Sequence, residues 1–155
     1  MKVIQLRPKL KDLSQGSRIA FVRRFRFVTQ DYVSDKLGLT GDSKRRTMTR
    51  YEKGTRNPTE ERTKKIADIL NVSYDSIRKY DLSNPLDIIF ILMWMEELYP
   101  DFGFKMTLSK KYYNEIIRKV IRDWTKMKNK LNSKEIKYED YLEWKLNYCV
   151  DESRE

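Results

Sequence analysis

Four residues confine the stretch from Thr29 to Pro58 to two short helices. Thr29 is a helix N-cap residue type, and Gly38 is the type that ends a helix in a left-handed turn. Gly54 ends the next helix, and Pro58 favours a fresh start over continuation. The first helix buries Val33 and Leu37. The second begins somewhere in 40–44 and runs to Lys53, turning Met48 and Tyr51 inward while it carries Lys44, Arg45, Arg46 and Arg50.

The flanking segments read as further helices. Gly16-Ser17 opens one, with Ser17 as its N-cap, Ile19, Val22 and Phe25 or Arg26 on one face, and Arg23 and Arg24 on another. Phe21, Phe25, Phe27 and Tyr32 are expected in the core around it. Asn57-Pro58-Thr59-Glu60-Glu61 starts a helix that continues to Leu70, with acids at its positive dipole end. Ser73 caps another, from Tyr74 to about Leu82. Ser83-Asn84-Pro85 then supplies a stop, a cap and a proline at the first helical position, which marks a domain boundary.

Beyond it, Leu86 to Tyr99 is apolar nearly all round and must be covered by its own domain or by a second copy. Leu86, Ile89, Phe90, Met93 and Trp94 are the residues assigned to that core or dimer contact. Glu96-Glu97 is read as facing water. Phe104, Met106 and Leu108 alternate with Lys105 and Thr107, the pattern of a short strand. Ser109 begins a long amphipathic helix to about Leu131 that includes Tyr113, and Tyr138 to Asn147 forms the last. The predicted class is all-α. The predicted organisation is a basic N-terminal arm at 1–15, a five-helix domain at 16–82, a helical C-terminal domain at 83–150 and a tail at 151–155.

Charge separates the two halves. Residues 1–82 hold 20 Lys/Arg against 10 Asp/Glu, and residues 83–155 hold 13 against 13. The whole excess of +10 sits with the cationic helix, which implies a polyanion partner for that half. A cationic helix after a glycine-containing turn is how a small protein presents side chains to the DNA major groove. The chain has no His and one Cys, Cys149, so Cys/His zinc sites, Ser-His or Cys-His catalysis and an intrachain disulfide lack their residues. No glycine-rich phosphate loop is present. An enzyme, a metal site and a cofactor are therefore not expected. The basic leader around Pro8 lacks a signal-peptide core, and Leu86–Met95 is about half the length of a membrane span. A cytoplasmic protein is expected.

Several motifs carry a family resemblance. Thr29-Gln30, Leu37-Gly38-Leu39, Arg50-Tyr51-Glu52-Lys53-Gly54-Thr55-Arg56-Asn57-Pro58 and Ile66-Ala67-Asp68-Ile69-Leu70-Asn71-Val72-Ser73 resemble, in order, the lambda-repressor-like (Xre/Cro-type) helix-turn-helix family. The resemblance spans about residues 16–80 and implies a double-stranded-DNA-binding fold; because one short helix reads only a few base pairs, a homodimer on an inverted-repeat operator is expected. The resemblance implies that Gln30 holds a phosphate and braces the recognition helix. Arg45, Arg46, Thr47, Thr49 and Arg50 match the outward positions of that helix, and Ser43 and Lys44 at its start are further candidates for DNA contact. Arg45 and Arg46 are assigned to guanine edges, and Arg50, Thr55 and Arg56 to phosphates. Arg23 and Glu52 match a structural ion pair. One departure stands out: Leu39 to Glu52 encloses twelve residues where relatives have about eight, so either α-helix is added at the front, with Asp42 or Ser43 as cap, or the turn is a longer loop.

That insertion, with Glu139-Asp140-Tyr141-Leu142-Glu143-Trp144-Lys145, resembles regulators carried by Gram-positive phages and conjugative elements. The implied role is a homodimeric transcriptional repressor of its own operon. The competing expectation is a bifunctional chain whose C-terminal domain binds a protein. That domain would act as an antitoxin or inhibit a defence nuclease such as a CRISPR effector, with the helix-turn-helix regulating expression.

Overall fold

The computed structural model describes residues 7–103, 105–111 and 114–150. These residues form eight helices and no strand: α1 (Gln15–Phe25), α2 (Gln30–Lys36), α3 (Ser43–Lys53), α4 (Glu60–Leu70), α5 (Tyr74–Ile77), α6 (Pro85–Leu98), α7 (Glu115–Asn132) and α8 (Tyr138–Asn147). The all-α expectation holds.

Capping chemistry sets most of the starts. Thr29 accepts from the Tyr32 amide and Thr59 from the Arg62 amide, while Asn84 accepts from the Leu86 amide ahead of α6. For α8, Asp140 reaches back to accept from the Lys137 amide at 3.1 Å. Two predicted starts move. The cap of α1 is Ser14, whose hydroxyl accepts from the Ser17 amide, so Ser17 lies inside the first turn and is buried. The long helix starts at Glu115, capped by Asn114; Ser109 instead accepts from the Lys111 amide in a local turn. Tyr113, placed in that helix by the sequence, lies outside the described residues, as does Phe104 of the expected strand. Met106 and Leu108 are irregular in backbone and pack partly buried against the second core. No neighbouring strand among the described residues offers them a hydrogen-bond ladder.

The largest departure is α5, expected to reach Leu82 and ended at Ile77. Its carbonyls are claimed by side chains from other helices. The Arg18 guanidinium donates to Ser76 O at 2.9 Å and Arg78 O at 2.8 Å, and Gln15 donates to Ile77 O at 3.1 Å. Trp94 Nε1 donates to Ser76 O at 3.0 Å, and the Tyr80 hydroxyl to Asp75 O at 2.7 Å. With those acceptors occupied, the chain turns extended at Arg78, whose guanidinium is held by Asp75 and Asp87. Arg18 is 2% exposed and also lies over the Tyr80 ring at 4.0 Å, so a buried cation is satisfied by carbonyls and a π face.

Two cores result. The first gathers Ile19, Phe21, Val22, Val33, Met48 and Tyr51 with Ile66, Leu70 and Ile77, and adds Trp94, Leu142 and Leu146 from beyond residue 82. Phe21 and Trp94 meet edge to face with centroids 5.5 Å apart. The second gathers Ile89, Phe90 and Met93 of α6, Val120 and Trp124 of α7, and Tyr141 of α8. Each fully buried side chain of this size stabilises by about 1.5–3 kcal/mol. Helix α8 thus serves both cores with alternate faces. Its end is tied to α5, because the Ser73 amide donates to Leu146 O at 2.8 Å and the Ser73 hydroxyl to Tyr148 O at 3.0 Å. Arg26 forks onto the Glu143 carboxylate from the end of α1.

Ile89, Phe90, Met93 and Trp94 are therefore buried within one chain, at 3–6% exposure, and Leu86 is half-buried. The faces of α6 that carry them are occupied by the chain's own cores. Glu97, expected in water, is buried: Lys145 donates to it at 2.5 Å, Arg7 at 2.5 Å, and the Tyr138 hydroxyl makes a further short contact. The N-terminal segment is not a solvated arm from Arg7 onward. Leu10 is 6% exposed in the first core and Arg7 sits 4.0 Å over the Tyr138 ring. Lys2 and the rest of 1–6 lie outside the described residues, as does the tail at 151–155. No helix among the described residues is long and apolar enough to cross a membrane.

Candidate nucleic-acid interface

The turn between α2 and α3 runs from residue 37 to residue 42. Gly38 and Gly41 both take positive φ, at 71° each, which a side chain disfavours. Between them the chain covers Leu39 and Thr40, then enters α3 at Ser43 with Asp42 in the cap position but making no side-chain cap bond. Of the two alternatives for the insertion, the helix lengthens: α3 has 11 residues, about three turns.

The inner face of α3 is set by Met48 at 0% and Tyr51 at 2% exposure. Arg62 donates to the Tyr51 hydroxyl at 2.8 Å, tying α4 to the same face. The lower end is clamped by charge. Arg23 of α1 forks onto Glu52 at 2.5 and 3.0 Å, as the resemblance implies. Gln30 Nε2 donates to Glu52 at 2.8 Å, and its carbonyl accepts from the Thr49 hydroxyl at 3.1 Å. Gln30 therefore braces α3 through both of its polar ends. Gly16 brings α1 against the backbone here, since a Cβ at that position would stand 2.2 Å from Tyr51 O.

The sequence-assigned residues then divide. Arg45, Arg46, Arg50 and Arg56 are exposed, and among the described residues their side chains make no hydrogen bond or ion pair. Ser43 is exposed and donates to Thr40 O at 3.4 Å; Thr55 is exposed and donates to Arg50 O at 3.4 Å. Thr49 is half-buried by its bond to Gln30. Two of the DNA-contact candidates are corrected. Thr47 is buried at 9% exposure with its hydroxyl donating to Ser43 O at 2.9 Å, because it lies one helical turn before Tyr51 on the inner face. Lys44 is half-buried and paired with Asp35 of α2, while Ser34 donates to Lys44 O at 3.2 Å, so it joins α2 to α3.

Lys53 was missed. It lines a shallow cleft with Arg46 and Arg50, and its spacing of three and seven residues from them was legible as one helix face. Phe27 and Tyr32 are also corrected from core to surface, at 74% and 44% exposure. Phe27 takes φ 56° at the end of α1, which points its ring away from the core that Phe21 fills.

A short helix is thus seated against α1, α2 and α4 by one face, and offers three unpaired guanidinium groups on the other. Residues 16–82 match a family model described as a helix-turn-helix domain. No curated protein and no solved structure matches the chain. In helix-turn-helix geometry the second helix of the motif lies in the major groove. Here α2 is the first helix of the motif and α3 the second.

Proposed function

We propose that the chain is a sequence-specific, double-stranded-DNA-binding transcriptional regulator, acting as a dimeric repressor of its own promoter. The observation that carries this reading is the exposed, unpaired set Arg45, Arg46 and Arg50 on a helix whose opposite face is locked into the core. Arg reaches guanine O6 and N7 with two parallel donors, and each good bidentate contact discriminates by about 1–3 kcal/mol. Arg56, Thr55 and Lys53 flank the helix end, where cations meet phosphates and add affinity without sequence information. Gln30 combines its bracing role with a position at the first turn of α2, in reach of the same backbone.

Two copies are required because one three-turn helix reads only a few base pairs; half-sites one DNA turn apart multiply the discrimination. With the apolar faces of α6 covered by the chain's own cores, the apolar residues left to join two copies include exposed Leu82 and Ile88 near the start of that helix. The test is selection from a library of randomised duplexes, followed by light scattering of the protein with the enriched site. Recovery of an inverted repeat bound by two chains is the expected result. A library that returns no enriched sequence, or a monomer at micromolar concentration with and without the site, refutes the corresponding part of the proposal.

A further inference from the structure

The neutral balance of residues 83–155 conceals a segregation. Residues 105–134 hold ten Lys/Arg and two Asp/Glu, a net of +8, while 83–104 and 135–155 together hold three against eleven, a net of −8. The cations follow α7. Its inner face is apolar, with Ile117, Val120, Ile121 and Trp124 buried, and Arg118, Arg122, Lys126 and Lys130 follow one another at four-residue steps on the rest of its surface.

A solvated helix face ordinarily mixes signs, with acids placed four residues from bases. This one does not. Of the two acids on α7, Asp123 is held by Lys119 at 2.8 Å and by the Tyr148 hydroxyl at 2.9 Å. Arg122 and Lys126 are exposed and make no hydrogen bond or ion pair among the described residues. The ends of the row are engaged, Lys130 by Glu135 at 3.3 Å and Arg118 by the Lys110 carbonyl at 3.2 Å, and like charges one turn apart repel, so Arg122 and Lys126 between them are poised for neutralisation by an anion outside the chain. At 1.5 Å per residue, four-residue steps place cations about 6 Å apart along the helix, a regular series rather than a cluster. Little apolar surface interrupts the row, Ile116 being the large exposed apolar side chain on this helix. That composition suits a repeating phosphate backbone better than a protein partner, whose binding core needs aromatic and aliphatic anchors.

We propose that the outward face of α7 is a second duplex-DNA contact, a phosphate-tracking surface separate from α3. The inference rests on the chain being a DNA-binding protein, and it gives the C-terminal half a role in affinity that α3 alone would not supply. Contacts of this kind carry no base preference.

The test is fluorescence anisotropy on a random-sequence duplex and on a selected duplex, from 50 to 200 mM salt. The full chain is compared with Arg122→Gln/Lys126→Gln and with Arg45→Ala/Arg46→Ala. Both α7 positions are exposed, so an unchanged melting curve serves as the control for folding. Loss of two phosphate contacts lowers the slope of log K against log salt by about 1.8, and weakens both duplexes by the same factor. The α3 variant loses the preference for the selected duplex instead. An α7 variant with wild-type slope and affinity, while the unsubstituted chain binds, overturns the second contact and leaves an acidic protein or plain solvent as what the face meets. Absence of binding by the unsubstituted chain overturns the DNA reading itself, and this inference with it.

Discussion

Replacing Gly16 by alanine sets two known effects against each other. In an open helix the change stabilises, by up to about 1 kcal/mol, and by less in the first turn where Gly16 stands. Here the added methyl would meet Tyr51 O at 2.2 Å and Glu52 O at 2.8 Å, both backbone atoms at the end of α3. An ordinary carbon–oxygen contact is about 3.3 Å, so α1 and α3 must part by roughly 1 Å. A gap of that size forfeits about a quarter to a half of the dispersion between facing groups, and the faces concerned carry Ile19, Met48 and Tyr51, all essentially buried. Parting is also resisted by the Arg23–Glu52 fork across the same interface. Overpacking of this sort costs about 1–3 kcal/mol and sometimes more. The net expectation is destabilisation by about 2 kcal/mol, opposite in sign to the propensity gain. In urea, with a slope of about 2 kcal/mol per molar, the midpoint should fall by about 1 M. Affinity for a selected duplex should fall as well, because the separation moves α3 relative to α2. A Gly16→Ala variant whose midpoint is unchanged or higher would refute the close approach of α1 and α3 as the element that seats α3.

Arg45→Ala and Arg46→Ala should each reduce the preference for a selected site by about 1–3 kcal/mol, whereas Arg56→Ala should weaken selected and random duplexes equally; equal losses from all three on both duplexes would sink the division of roles. Glu52→Gln removes the partner of a largely buried Arg23, at 12% side-chain exposure, and should cost about 3 kcal/mol in chemical denaturation. Burial pushes the Glu97 carboxyl up, but Lys145, Tyr138 and Arg7 outweigh it and hold the group below its ordinary value. Burial likewise raises Asp87, and Arg78 with the Asp81 amide more than offsets it. Groups depressed in the folded state contribute stability above their unfolded values and lose it as pH falls through the folded ones. Melting temperature should therefore hold above about pH 5 and fall below about pH 4, and Glu97→Gln should flatten that fall while lowering stability at pH 7; an unchanged acid limb would show that Glu97 titrates alike folded and unfolded.

Local signals in the chain settled much of the helix punctuation and carried the helix-turn-helix resemblance over residues 16–82. Thr29, Gly38, Gly54, Thr59 and Asn84-Pro85 act on their own neighbours through caps and backbone freedom, so α2, α4 and α6 start where those residues stand, and α8 spans the expected residues. The inward Met48 and Tyr51 and the Arg23–Glu52 pair were legible too, the first from period and the second from the motif. What lay beyond sequence were contacts between residues far apart in the chain. The early end of α5 depends on Arg18 and Trp94 reaching its carbonyls from α1 and α6. Lys44 leaves the outward set because Asp35 stands across from it on α2, and Glu97 is buried because Arg7, Tyr138 and Lys145 converge there. The charge of α7 was countable, yet only the fold shows that Asp123 is engaged by Lys119 and Tyr148 while Arg122 and Lys126 face outward. Periodicity reports which face of a helix is apolar; it carries no information on which distant side chain arrives to meet a carbonyl or a charge. Those meetings decide which of the cations in this chain are spent within it and which are left for a partner.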